Sequence, residues 1–172
     1  MYSEARLVIH FAGGGGSELQ LWPEVAPNHV ARVLDLTVEG FYNNCPFHRV
    51  VEGHVAQWGS KQEDGLGGSG KGALKAEFSD VPFERGVVGM ARDLDDPDSG
   101  DCQLFVCLAD RPQLNGRFTA LGRVIKERYM ASFDALPRVN VTQNPDDTME
   151  MAGRIERTDA FSVALPVPIL GQ

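Results

Sequence analysis

Apolar and polar residues alternate at the start of the chain, and this alternation predicts an opening β-hairpin. Residues 5–11 and 18–22 each carry an apolar side chain at every second position, as a strand with one buried face requires. The predicted inward-facing positions are Leu7, Ile9, Phe11, Leu19 and Leu21. Residues 12–17 include four consecutive glycines and form the predicted turn between the two strands.

The apolar period then lengthens to that of a helix. Pro27 suits the first helical turn, and Gly40 is a natural residue to end the helix. The apolar positions at helical spacing are Val30, Val33, Leu34 and Val38. A second helix is predicted over residues 129–136, because Pro137 cannot continue it.

Short apolar runs predict further strands downstream of these elements. They span residues 86–91, 103–108, 119–125 and 149–158. Both faces of residues 103–108 are largely apolar, so we expect this strand to be buried on both sides. From Ala160 onward, Pro166 and Pro168 favour an extended tail on the surface. Periodicity alone therefore predicts a mostly β protein, either a barrel or a sandwich.

Residues 47–60 predict another hairpin, with a turn at residues 52–53, and they carry the first candidate chemistry. Alternation places Phe47, Arg49 and Val51 on one face of the first strand, and Val55 and Gln57 together on the second. A guanidinium and a carboxamide are thereby expected beside apolar surface. Taken alone, Arg49 is also interpretable as a surface ion-pair residue.

Length, charge and cysteine content narrow the class of protein. The 172 residues suffice for one domain with a substantial core. A formal charge of −8 repels phosphate backbones, which argues against nucleic-acid binding. No apolar run approaches the roughly 18 residues of a membrane span, and residues 1–6 do not begin a signal peptide. We therefore expect a cytoplasmic protein, in which Cys45, Cys102 and Cys107 are free thiols.

Two loops resemble ligand sites but lack the context that such sites need. The glycine-rich loop, residues 62–72, contains a G-x-G-x-x-G run, yet no buried strand precedes it and no long amphipathic helix follows. The acidic loop, residues 93–101, fails as a calcium loop because Pro97 breaks the ligand alternation. Cys102 and Cys107 are expected on opposite faces of a strand, so they do not easily share a metal ion.

Several separated motifs occur in one consistent order. Around Phe47-His48-Arg49-Val50-Val51-Glu52-Gly53 they are Phe41-Tyr42-Asn43-Asn44, Gly89-Met90-Ala91-Arg92, Gln103-Leu104-Phe105-Val106, Leu114-Asn115-Gly116 and Leu121-Gly122-Arg123-Val124. In this order they resemble the cyclophilins, a family of peptidyl-prolyl cis-trans isomerases, over residues 5–158. The resemblance implies one cyclophilin-like domain over residues 1–172, with a closed eight-stranded antiparallel β-barrel capped by two α-helices.

The resemblance also implies an activity and a site. The expected function is isomerisation of X-Pro bonds in peptides and proteins, which requires no metal or cofactor. Arg49 and Gln57 match the catalytic positions, with Arg49 as the donor that withdraws the nitrogen lone pair from amide resonance. The matched substrate-binding positions are Ala91 and Gln103, which would contact the peptide, and Phe105 and Leu114, which would enclose the proline ring. Isolated glutamines more often satisfy buried backbone groups than bind ligands.

Some positions depart from the cyclophilin pattern. The substitutions are His54 for phenylalanine, Val55 for methionine or isoleucine, Trp58 for glycine, Gln113 for tryptophan or another aromatic residue, and Phe118 for histidine or tyrosine. His54 and Gln113 make the proline pocket more polar, so reduced activity and weak cyclosporin binding are expected. The alternative function is a weak or inactive module that binds proline-containing segments.

The expected partners are proline-containing peptides or proteins, bound by a monomer. The acidic loop lies between the two matched positions Ala91 and Gln103. Its aspartates are Asp93, Asp95, Asp96, Asp98 and Asp101. The loop is interpretable as a solvated surface loop, or as a shallow negative field that attracts Lys or Arg about two residues before the proline.

Overall fold

The computed structural model of the protein describes residues 2–164. One antiparallel sheet of nine strands forms the body of the protein. The strands are β1 (Tyr2–Phe11), β2 (Gly16–Leu21), β3 (Arg49–Val50), β4 (Val55–Trp58), β5 (Val87–Met90), β6 (Leu104–Cys107), β7 (Ala120–Val124), β8 (Val139–Asn140) and β9 (Ile155–Ala164). Neighbouring strands follow the order β8-β3-β4-β6-β5-β7-β2-β1-β9.

The mostly β class is confirmed, but the predicted strand number is wrong. The described residues form nine strands rather than eight. The terminal strands β8 and β9 are not joined by a ladder within residues 2–164. A single bridge between Pro46 and Arg154, and a hydrogen bond from the Ile155 N–H to the Cys45 carbonyl (2.8 Å), link the residues before β3 to β9. Full closure of the barrel stays a prediction.

The opening hairpin is confirmed and provides much of the core. β1 and β2 pair around Leu7 and Leu19, which lie opposite each other. Gly13, Gly14 and Gly15 all have positive φ, so the turn uses a backbone conformation that other residues rarely adopt. All five predicted inward-facing side chains are buried.

The first helix is also confirmed, but the second is much shorter than predicted. Helix α1 spans Pro27–Val38, and Gly40 follows it with φ +76°. In the predicted second helix, residues 127–130 form a 3₁₀ turn and only Ala131–Asp134, helix α2, is α-helical. The apolar spacing there is satisfied by burying Met130 and Phe133, which a single turn accomplishes.

The last strand was predicted too early in the chain. Residues 149–151 form a 3₁₀ turn, and β9 begins at Ile155 and continues to Ala164. It continues because β1 offers a long ladder, in which Ser162 pairs with Ala5. Residues 160–164 are thus extended, as predicted for the tail, but they pair with β1 as part of the sheet, and residues 165–172 lie outside the described part.

Two apolar clusters lie on opposite faces of the strands that form the site. The larger contains Val50, Ala56, Trp58, Leu104, Val106 and residues of α1. Phe47 belongs to this cluster, so its predicted place beside Arg49 is wrong, because residues 47–48 precede β3 and do not follow its alternation. The smaller cluster contains Val55, Phe83, Val87, Phe105, Cys107 and Ala120.

The structure also bears on the cysteines, on metal binding and on membrane spans. The three cysteines are free and buried. Within residues 2–164, no three His, Cys, Asp or Glu side chains are grouped closely enough to hold a metal ion. No helix in the same region is sufficiently long and apolar to cross a membrane.

Helix α1 receives its N-terminal cap from a distant loop residue. The Glu77 carboxylate accepts from the N–H groups of Asn28 (3.2 Å) and His29 (2.9 Å), and its Oε1 lies 2.5 Å from Nδ1 of the buried His29 ring. Glu77 is itself fixed by a hydrogen bond from its N–H to the Thr119 hydroxyl (2.9 Å). This contact ties the long segment between β4 and β5 to the helix.

We expect Glu77→Ala to lower the free energy of unfolding by about 2 kcal/mol, because it leaves helix N–H groups and a buried imidazole without an acceptor. Urea denaturation measures this change. Glu84→Ala is the matched control, since Glu84 is an exposed glutamate of the same segment. Equal unfolding midpoints for the two variants would show that Glu77 does not hold the helix.

Candidate functional site

All ten residues predicted for the site line one cavity of about 840 Å³. They are Arg49, His54, Val55, Gln57, Ala91, Gln103, Phe105, Gln113, Leu114 and Phe118. β3, β4 and β6 provide one wall, and the 3₁₀ turn at residues 112–114 provides another. The glycine-rich and acidic loops complete the rim. Residues spread over 70 positions are thus brought together by the pairing of these strands and loops.

The apolar end of the cavity is built around Phe105. Its ring stacks on Phe83 (centroids 5.7 Å apart) and meets Phe118 edge to face (5.6 Å). Leu114 packs against the same apolar cluster. Gly89, on the neighbouring strand β5, makes room for the Phe105 ring, because a Cβ at this position would collide with it. This end can hold a small apolar ring.

The polar side of the cavity is organised by strand register. Arg49 lies directly opposite Gln57 in the β3–β4 pair, and Gln57 lies opposite Phe105 in the β4–β6 pair. A guanidinium N–H of Arg49 donates to Oε1 of Gln57 at 3.4 Å, its one hydrogen bond within residues 2–164. Most of its five donors therefore remain available to a ligand. Burial lowers the pKa of Arg49 from its usual value, but arginine stays charged in proteins.

Gln57 and Gln103 are joined to each other and to the glycine-rich loop. The Gln57 amide donates to Oε1 of Gln103 (3.0 Å). The Gln103 amide donates in turn to the carbonyls of Gly65 (2.8 Å) and Gly67 (3.1 Å). Sequence reasoning missed this role of the loop, because backbone carbonyls leave no residue-specific signal.

The remaining predicted residues lie at the edges of the cavity. The Ala91 N–H donates to the Gln103 carbonyl (2.8 Å). The backbone group of Ala91 that can hydrogen-bond to a peptide is therefore the Ala91 carbonyl. Gln113 is exposed, and its carboxamide oxygen, when turned toward Arg111, accepts from the guanidinium Nε at 2.8 Å. Burial lowers the pKa of His54, and the charges of Arg111 and Arg49 lower it further, so His54 is neutral at pH 7.

His48 is a buried residue behind the cavity that sequence reasoning did not assign to the site. Its side chain is fully buried, and neither ring nitrogen makes a well-formed hydrogen bond in the described part of the chain. A Cβ on Gly65 would lie 2.8 Å from the His48 ring, which is therefore packed against the glycine-rich loop. Burial, with a further contribution from the Arg49 charge, lowers the pKa of His48 to about 4.

The acidic loop contributes less negative charge to the cavity than its sequence predicts. Only Asp93 and Asp101 of its five aspartates line the cavity. Asp101 is paired with Arg32 (2.8 Å). On the same rim, the Arg92 guanidinium lies over the Phe118 ring, 4.7 Å from its centroid. The rim of the cavity therefore carries both positive and negative charge. Of its two aspartates, Asp93 is the one without an ion pair to another described residue.

Comparisons with known proteins identify the family of the chain. The model of the family described as "Cyclophilin type peptidyl-prolyl cis-trans isomerase/CLD" matches residues 7–159. A probable peptidyl-prolyl cis-trans isomerase of Brucella suis biovar 1 is 38% identical over 151 residues, covering 77% of this chain and 74% of the relative. Peptidyl-prolyl cis-trans isomerase B of Bacillus subtilis is 36% identical over 134 residues, covering 74% of this chain and 92% of the relative.

A solved structure shows the same fold. The cyclophilin type peptidyl-prolyl cis-trans isomerase of Cryptosporidium parvum, determined in the presence of the dipeptide Ala-Pro, has a TM-score of 0.75 to this chain. The two sequences are 21% identical, and the match covers 94% of this chain and 99% of the other. At this identity the likeness establishes the fold alone, which is the cyclophilin fold.

The buried neutral His48 predicts a specific loss of stability in acid. Its pKa is about 4 in the folded protein, against 6.5 for an unperturbed histidine. Between these values the unfolded chain takes up a proton that the folded protein does not, so stability is lost as pH falls from 6.5 to 4. The expected loss is about 3 kcal/mol.

Urea denaturation of the wild type and of His48→Gln across pH 4–7 measures this contribution. The wild type should lose about 3 kcal/mol more than the variant over this range, because other titrating groups are shared by both proteins. Parallel curves would mean that His48 takes up its proton equally in both states.

Proposed function

The chain belongs to the family of cyclophilin-type peptidyl-prolyl cis-trans isomerases, and we propose that it isomerises X-Pro bonds with Arg49 as the group that promotes rotation. The observation that carries this proposal is the meeting of a charged guanidinium and an apolar pocket in one cavity. The substrates are proline-containing segments of peptides and proteins. A related protein was crystallised in the presence of Ala-Pro, which supports this substrate class.

The reaction requires electrostatic stabilisation of the twisted amide and no covalent bond to the protein. Resonance gives the amide bond a rotation barrier of about 18–20 kcal/mol. During rotation the proline nitrogen becomes pyramidal and gains a localised lone pair, which the planar ground state lacks. An N–H of Arg49 donates to that lone pair, and this interaction is stronger in the twisted state than in the planar one. Residues at the apolar end, Phe105, Leu114 and Phe118, hold the proline ring during rotation.

Gln57 anchors the peptide while the bond rotates. Its amide has a second N–H beyond the one donated to Gln103, and this N–H can donate to a peptide carbonyl next to the proline. Ala91, which also lines the cavity, offers a backbone carbonyl to the peptide. Fixing one side of the X-Pro bond leaves the other side free to turn.

Two side chains make the grip on proline weaker than an aromatic wall would. His54 and Gln113 line the cavity with polar atoms, and apolar contact area determines how strongly a ring is held. We therefore include reduced activity and weak cyclosporin binding in the proposal. A catalytically silent peptide-binding module is the second candidate, and the same two residues favour it. We further propose a monomer that acts in the cytoplasm.

Arg49→Ala should lower kcat/KM by roughly 10- to 1,000-fold, because it removes a preorganised charged donor. Arg49→Lys should fall between this variant and the wild type, since it keeps the charge but loses the rigid fork. A protease-coupled assay on a short X-Pro peptide measures both. Unfolding midpoints should stay close to wild type, because the Arg49 side chain lies on the cavity side of β3.

Turnover in Arg49→Ala equal to that of the wild type would remove Arg49 from the mechanism. Absence of turnover in the wild type, together with measurable binding of the same peptide, would favour the peptide-binding module.

Asp93 should give a modest preference for Lys over Glu about two residues before the proline. An exposed ion pair contributes about 0.2–1 kcal/mol, so a preference of a few-fold is expected at low salt, and it should fade near 1 M salt. The assay compares matched peptides carrying Lys, Ala or Glu. Asp93→Asn should abolish the preference, whereas Asp95→Asn, outside the cavity, should not. Equal wild-type rates for the three peptides at low salt would show that the loop does not read the substrate.

A further inference from the structure

A relay of hydrogen bonds connects the glycine-rich loop to the catalytic guanidinium. It comprises the side chains of Arg49, Gln57 and Gln103 and the carbonyls of Gly65 and Gly67. Arg49 donates to Gln57 (3.4 Å), Gln57 donates to Gln103 (3.0 Å), and Gln103 donates to the two carbonyls (2.8 and 3.1 Å). All the donors in the relay point the same way, from Arg49 toward the loop.

The direction of the relay is set at its loop end. A carbonyl oxygen can only accept, so Gly65 and Gly67 require the NH₂ group of Gln103 to face them. The Gln103 oxygen must then face Gln57, which presents its own NH₂ group. The Gln57 oxygen is thereby turned toward Arg49, whose guanidinium can only donate. Reversing either glutamine would place donor against donor or acceptor against acceptor.

The two carbonyls are themselves held in place. Gly65 has φ +72°, and a Cβ there would lie 2.8 Å from both the His48 ring and the Thr142 methyl group. The Gly67 N–H donates to the buried Ser60 hydroxyl (2.9 Å). The loop conformation therefore depends on glycine at position 65 and on a polar contact with Ser60, which follows β4.

A second attachment ties the loop to the residues just before Gln103. Asp101 accepts from the Ser69 N–H (2.7 Å) and the Ser69 hydroxyl (2.5 Å). Arg32 of helix α1 donates to the same carboxylate (2.8 Å) and to the Gly72 carbonyl (2.8 Å). Ser69 thus attaches the loop to Asp101, two residues before Gln103, and Arg32 joins both the loop and Asp101 to helix α1.

We propose that Gln103 is a positioning residue, which acts on the substrate only through Gln57 and Arg49, and that the glycine-rich loop sets its orientation. This inference rests on the proposed function. Both N–H groups and the oxygen of the Gln103 amide are engaged within the protein, so the side chain has no free donor for a peptide carbonyl. The peptide-contacting role that the resemblance implies for Gln103 is replaced by one of alignment.

Gln103→Met keeps the length of the side chain and removes both polar groups. Without the relay Gln57 can turn over, and Arg49 loses its acceptor, so kcat should fall roughly 10- to 100-fold as misplaced catalytic groups do. KM should change less than kcat, because Gln103 itself makes no contact with the substrate. Gln62→Met is the matched control, an exposed glutamine of the same loop that lies outside the relay. A higher KM with unchanged kcat would mean that Gln103 binds the peptide, and unchanged kinetics with lower stability would mean a purely structural role.

A double-mutant cycle with Arg49→Lys tests whether Gln103 acts through the arginine. If it does, Gln103→Met should cost less than about threefold in the Arg49→Lys background, because the aligned group is already lost. Additive losses would overturn the proposal, since they would mean that Gln103 acts on the substrate independently of Arg49.

A readout that needs no turnover separates this inference from the proposed function. Gln103→Met should shift the side-chain amide signals of Gln57 and the guanidinium signal of Arg49 in NMR spectra of the free protein, whereas Gln62→Met should leave them in place. Unchanged signals would overturn the relay whether or not the wild type isomerises peptides. Shifted signals in a protein without turnover would sustain the relay and contradict only the isomerase assignment.

Discussion

The site depends on the orientation of two carboxamides. Gln57 and Gln103 each have one face that donates and one that accepts, and rotation of the terminal bond by half a turn exchanges them. Two backbone carbonyls, those of Gly65 and Gly67, remove this ambiguity at one end. The consequence reaches Arg49 two hydrogen bonds away, as an acceptor in a fixed place. The flexible Arg49 side chain is thereby held beside an apolar pocket, and it uses one hydrogen bond to Gln57 while most of its N–H donors stay free.

Burial keeps the two histidines nearest to Arg49 neutral. His48, Arg49 and His54 are close in sequence, and the pKa of each histidine is lowered by burial and by the Arg49 charge. Arginine keeps its proton under the same conditions because its intrinsic basicity is far higher. Arg49 therefore stays charged while the two imidazoles near it stay neutral, and a permanent charge is what a donor to a developing lone pair requires. Neutral His54 also limits the polarity that its substitution adds to the pocket.

Local sequence pattern predicted the elements whose side chains alternate regularly. Alternation along the strands placed Val55 and Gln57 on one face, and this assignment is correct because both residues lie within a regular ladder with β6. The pattern misplaced Phe47, which lies just before β3. It also could not give the extent of β9, which depends on a ladder with β1 more than 150 residues away. The motif resemblance found ten of the residues that line the cavity, whereas the relay required the structure, because its final acceptors are backbone carbonyls.

If Arg49 and the apolar pocket act as proposed, this cavity lowers the barrier to rotation about an X-Pro bond. Two-dimensional exchange NMR on an Ala-Pro-containing peptide, with the protein well below the peptide concentration, tests it most directly, because it observes both isomers at equilibrium. Uncatalysed interconversion takes tens to hundreds of seconds, so its exchange peaks are absent at short mixing times. We expect cis-trans exchange peaks within a mixing time of about one second when the wild-type protein is added. Binding-induced shifts of the peptide signals without exchange peaks would contradict it.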